Sequence, residues 1–188
     1  MTSPDPHEQL VRLASDYQSA YQDAWRWFLQ QGPSASNILL AGLDDSSLGS
    51  ECHWRILLIL RELALPSTLP AILGAFHTAL ASDNPIVLPG AMEALAAFPT
   101  DEAIAALASI RDRGSIDSIQ HSAALLGNIA DDRAVRSLAS YLNHPHASVR
   151  RAAIKALQKA NTPLAHKEIE QHRKIEEDPA VLGLMGSV

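Results

Sequence analysis

A single helical pattern returns every 31 residues along most of this chain. Leu157 follows Leu126 by 31 positions, Leu126 follows Leu95 by 31, and Ala64 falls one step further back. Val149, Ser118, Val87 and Ile56 keep the same step, as do Leu138, Leu107 and Phe76, and Val135, Ile104 and Leu73. A period shared by both halves of the unit means that one two-helix motif is repeated. Neither helix of such a unit buries its apolar stripe alone, so the units must stack into a curved solenoid with a long groove.

Helix signals divide the chain. Leu10, Leu13, Tyr17, Tyr21, Ala24 and Phe28 recur at three- and four-residue steps, which predicts one long helix from Pro4 to Gln31, capped by Ser3 and stopped at Gly32-Pro33. A short helix is expected over Ser36 to Leu43, then a polar stretch, Asp44 to Ser47. From about residue 51 the pattern predicts helices near 51–64, 69–81, 86–98, 101–112, 116–129, 132–143, 146–160 and 163–176. Thr68, Thr100, Asp131 and Thr162 stand before helix starts at nearly one phase, as side chains able to cap them. Pro89-Gly90 breaks the register, because a proline inside a helix costs about 3 kcal/mol, so that helix should start late near Leu88 or kink. Past Asp178 the chain either begins a truncated helix at Pro179 or is loose. The expected fold is all-α, an α-α superhelix of about four to five hairpins with an N-terminal capping helix. In one continuous domain, residues 1–50 form the cap, 51–177 the repeats and 178–188 the tail.

Composition narrows the function. Hydrophobic residues make up 47% of the 188 but aromatics only 5%, so Ala and Leu dominate, as suits closely crossing helices. A net charge of −6 argues against a general binder of nucleic acid or anionic membrane. Cys52 is the single cysteine, which rules out an internal disulfide and fits a reducing compartment. The first thirty residues carry Asp5, Glu8, Asp16 and Asp23 and lack the apolar core of a signal peptide, and no apolar run is long enough for a membrane span. A cytoplasmic protein is expected, with 11 Arg against 4 Lys and abundant Ala fitting a GC-rich bacterial genome.

The stretch Leu126-Gly127-Asn128-Ile129-Ala130-Asp131-Asp132-Arg133-Ala134-Val135-Arg136-Ser137-Leu138 continues through His144-Pro145-His146-Ala147-Ser148-Val149-Arg150-Arg151-Ala152-Ala153 to Ala156-Leu157. It resembles a HEAT-like repeat of the phycobilisome-lyase type, with a "LGxIxDxRAVxxL" helix followed by "hPxxxVRxxAxxAL". The resemblance is strong over about 125–160, recognisable over 83–125, weaker over 51–82 and absent from the first fifty residues. It implies an armadillo-like superhelix of outer and inner helix layers that binds other proteins. It does not imply lyase activity, since no bilin-attachment motif is present.

Sites for chemistry are sparse. HEAT-like diiron hydroxylases carry repeated His-Glu pairs, whereas the only such dipeptide here is His7-Glu8, ahead of the repeats. His144 with His146, and His166 with Glu170 one turn apart, are the metal-ligand candidates, read as surface polar residues. Cys52 beside His53 is no nucleophile–base pair, because adjacent helical residues point about 100° apart. No phosphate-binding loop or nucleophile elbow appears. No catalytic residue, cofactor or metal is therefore assigned.

Charge and register point instead to a binding surface. Residues 1–113 carry a net −7 and residues 114–188 a net +1. Arg150, Arg151, Lys155, Lys159, Lys167, Arg173 and Lys174 cluster within 144–174 against Glu168 and Glu170. With Val149, Ala153 and Leu157 facing the core, Ser148, Arg151 and Lys155 should face the groove. The same register gives Asp117, Gln120 and Ala124, then Ile86, Pro89 and Glu93, then Arg55, Leu58 and Glu62. Lys159 extends the basic end, and Trp27, off the apolar stripe of the cap, is the aromatic expected to be exposed as a partner anchor. These features suit a partner protein, bound by an adaptor or by an immunity protein that blocks a toxin. The rivals are a subunit of an enzyme handling a bilin or similar group, and nucleic-acid binding through the 144–174 patch.

Overall fold

The computed structural model describes residues 4–186, and all regular structure among them is helical. The chain divides into two compact units, one reaching Phe98 and the other starting at Pro99.

The first unit holds α1 (Pro6–Leu13), α2 (Gln18–Gln31), α3 (Ser36–Asp44), α4 (Gly49–Leu63), α5 (Leu69–Ala81) and α6 (Val87–Ala96). The single long helix expected over Pro4 to Gln31 is two helices packed on each other. Asp5 caps the first by accepting from the His7 amide, while Ser3 lies outside the described residues. The break at Ala14 to Tyr17 is held by the Arg55 guanidinium, whose Nη1 donates to the Leu13 and Ser15 carbonyls at 2.7 and 2.8 Å. Folding back buries Leu10, Leu13, Ala24 and Phe28 but leaves Tyr17 80% exposed, so the stripe read as continuous is two separate faces. Gly32, at φ 58, ends α2 as expected.

Helix α6 lies against both α4 and α5. It begins at Val87, so Pro89 falls at the start of the helix instead of its middle, where a proline disturbs the backbone bonding least. Asn84 supplies the cap that the sequence reading missed, with Oδ1 accepting from the Ile86 and Val87 amides at 3.0 Å. Gly90 lets Trp54 approach: a Cβ there would lie 2.6 Å from Trp54 Cδ1. Thr68 does not cap α5. It is buried and donates its hydroxyl back to the Leu65 carbonyl at 2.8 Å.

The second unit holds α7 (Asp101–Ser109), α8 (Ile116–Ile129), α9 (Asp132–Tyr141), α10 (Ala147–Ala160), α11 (Pro163–Arg173) and α12 (Pro179–Met185). Helices α8, α10 and α12 pack side by side as one layer, and α7, α9 and α11 form the other. Thr100, Asp131 and Thr162 cap α7, α9 and α11 by accepting from the Ala103, Arg133 and Ala165 amides. Each such cap is worth about 1 kcal/mol. Ser115 does the same for α8, and Asp178 caps α12, the truncated helix at Pro179.

Small residues set the spacing of the α8–α10–α12 layer. A Cβ on Gly127 of α8 would come within 2.7 Å of the Ala156 carbonyl oxygen on α10, so the two backbones nearly touch. Behind them, the Ser122 hydroxyl donates to the Leu107 carbonyl at 2.6 Å and meets Tyr141 Oη at 3.1 Å. Burial pushes the Tyr141 phenol up to about 12. At the far end Arg150 grips Glu176 through two 2.8 Å bonds, with His172 Nε2 3.0 Å from the same carboxylate.

Candidate functional site

The register of α10 is set by Val149, Ala153 and Leu157, all fully buried against the rest of the unit. That leaves Ser148, Arg151, Ala152 and Lys155 on the opposite face, with Lys159 following one turn later. Helix α8 presents Gln120, Ala124 and Asn128 from the same phase. Together with Ala156 these nine residues line one open concavity of about 460 Å³. Its floor is alanine, its α8 wall carries two carboxamides, and its α10 wall carries three cations.

Those cations are uncommitted. Arg151, Lys155 and Lys159 are exposed, and no hydrogen bond or ion pair engages them among the described residues. No carboxylate lines the concavity. Their neighbour Arg150 is the opposite case. It is largely buried and paired with Glu176, whose carboxyl the guanidinium holds down at about 2. The run of basic residues in this region thus contains one structural arginine and three free cations along the groove.

Other expected partner residues are placed differently. Asp117 is exposed in the first turn of α8 but does not line the concavity. In the first unit Arg55 is spent on the Leu13 and Ser15 carbonyls and lies 4.3 Å over the Tyr21 ring, so it is a clamp rather than a free contact. Arg61 ties Glu62 and Glu93 together at 2.7 and 2.6 Å. Leu58 is half-buried. Trp27 is also half-buried, set edge-on to Phe28, and the aromatic that stands out into solvent is Tyr17 instead. Asn128 was missed, although subtracting 31 from Lys159 leads to it.

The candidate chemical groups do not converge. His144 and His146 stack at 5.5 Å, but His144 Nδ1 accepts from the His146 amide. His166 is bound to Asn161, 2.9 Å away. Cys52 is fully buried and its thiol is pushed up to about 11 by that burial, while His53 turns to the Asp45 carbonyl. Among the described residues no three His, Cys, Asp or Glu side chains form a metal-binding group, and no helix is long and apolar enough to cross a membrane.

Residues 115–183 match the HEAT repeats family. The fold is that of a HEAT-like repeat protein. It is similar to the complex of CpcE and CpcF of phycocyanin lyase from Nostoc sp. PCC7120 at TM-score 0.57 and 18% identity, covering 98% of this chain and 76% of that one. A designed armadillo repeat protein in complex with the peptide (KR)4 gives TM-score 0.57 at 16% identity, covering 97% of each chain. Human deoxyhypusine hydroxylase in complex with glycerol gives 0.52 at 16%, covering 98% of this chain and 83% of that one. At these identities the likeness is one of fold alone. No curated protein matches this sequence.

Proposed function

We propose that this HEAT-like repeat protein is a non-catalytic protein-interaction module of the bacterial cytoplasm, serving as an adaptor or as an immunity-type inhibitor of its partner. The α8–α10 groove is the surface assigned to that contact. The observation that carries this reading is the set of three cations standing unpaired beside an alanine floor. Charged side chains with no partner inside the chain add no internal ion pair to fold stability, and across an interface such groups steer and select partners. Two of the fold's neighbours fit the same picture, one in a complex of CpcE with CpcF and the other holding a peptide. The test is affinity capture from the native host with wild-type protein and with an Arg151→Glu/Lys155→Glu variant, checked for folding by circular dichroism. A specific partner should be retained by the first and lost by the second. Equal recovery by both overturns the assignment of this groove.

A further inference from the structure

We infer that the α8–α10 groove takes an extended acidic peptide segment, with a carboxylate at every second residue, lying along α10. This rests on the interaction-module reading and specifies its ligand. Arg151, Lys155 and Lys159 succeed one another by four residues on one helix. At about 1.5 Å of rise per residue, neighbouring cations are about 6 Å apart along the axis and the outer two about 12 Å. In an extended chain the side chains on one face recur every two residues, about 6.6 Å apart. Three alternate acidic side chains therefore match the three cations nearly in step.

The opposite wall serves the rest of such a ligand. Gln120 and Asn128 stand eight residues apart on α8, about 12 Å along the axis, and both line the groove. Each carboxamide offers a donor and an acceptor, as the main chain of an extended peptide requires. Ala124, Ala152 and Ala156 leave the floor without bulk, and the close approach at Gly127 keeps the two walls near each other. A single extended chain needs less width between the walls than a helix of about 10–12 Å diameter. Single-stranded nucleic acid is the less favoured occupant: its binding sites stack bases on aromatic side chains, and none of the nine lining residues is aromatic.

Fluorescence anisotropy at physiological salt tests this with four labelled nine-residue probes. These are an alternating Glu-Ala peptide, a peptide of the same composition with its glutamates in one block, an alternating Lys-Ala peptide, and an oligo-dT of equal length. The alternating acidic peptide should bind at least tenfold tighter than any other probe. Lys155→Glu should weaken it at least tenfold, and Gln120→Ala/Asn128→Ala, which leaves the charge untouched, several-fold. Circular dichroism of each variant guards against misfolding. Equal binding of the blocked peptide removes the spacing argument and overturns the proposal, as does tighter binding of oligo-dT or indifference to Lys155→Glu. If only the basic peptide binds, or none does, the acidic assignment fails. Host-partner capture lost on charge reversal would then still uphold the interaction-module reading.

Discussion

Replacing Glu176 with Gln removes one charge from a buried ion pair of the second unit. The Glu176 and Arg150 side chains are only 3% and 17% exposed. One carboxylate oxygen accepts from Arg150 Nη2 and from the Glu177 and Asp178 amides, while the other accepts from Arg150 Nε and lies 3.0 Å from His172 Nε2. The carboxyl is held at about 2, against an ordinary 4.5. At about 1.4 kcal/mol per pH unit, that depression bounds the stabilisation at about 3 kcal/mol. Glutamine keeps an acceptor oxygen, and Arg150 keeps its bonds to the His144 and Pro145 carbonyls, so the expected loss at pH 7 is about 2 kcal/mol. The sign with pH follows from a depressed folded value. The stabilisation is full above pH 4.5 and disappears as pH falls toward 2, so the cost of Glu176→Gln should shrink to less than about half by pH 3. Urea unfolding followed by circular dichroism at both pH values measures it, with hydrogen exchange on α10 and α11 locating the effect. A loss of equal size at pH 7 and pH 3, or none at pH 7, refutes the argument.

Three further outcomes are expected. Gly127→Ala would normally gain about 1 kcal/mol of helix propensity, but its Cβ meets the Ala156 backbone at 2.7–2.9 Å. Overpacking should reverse the sign to a net loss of about 1–2 kcal/mol, read as a lowered thermal midpoint. Tyr141→Phe removes the hydroxyl bonded to Ser122 and the Leu107 and Ala108 carbonyls, at a cost of about 1 kcal/mol in denaturant titration. Cys52, buried and with its thiol pushed up to about 11, should resist a thiol-specific disulfide reagent at pH 8 in the folded protein and react at once in urea.

The repeat region was legible because its signals are local. The period places α5 and α8 at their observed bounds, and Thr100, Asp131 and Thr162 start their helices by capping within three residues. The N-terminal break was not legible. Ala14 to Tyr17 holds no Gly or Pro, and beside a local bond from the Tyr17 amide to the Ser15 hydroxyl its carbonyls are held by a guanidinium arriving from residue 55. Thr68 misled for a related reason, since a buried hydroxyl took the nearest carbonyl instead of an amide. In the second unit Gln120, Arg151 and Lys155, read from register, line one concavity. Register could not show that Arg55 and Glu93 are consumed by internal pairs, because a period gives direction and not partners.

The three caps at 100, 131 and 162 stand one full period apart, and each repeat therefore brings its own instruction for where to begin. Copying residues 131–161 in tandem would regenerate a start signal, an apolar face and a closing turn with no new junction to solve. A gene built this way can grow or shrink by whole modules while its protein still folds, so length is the property that selection can change most cheaply.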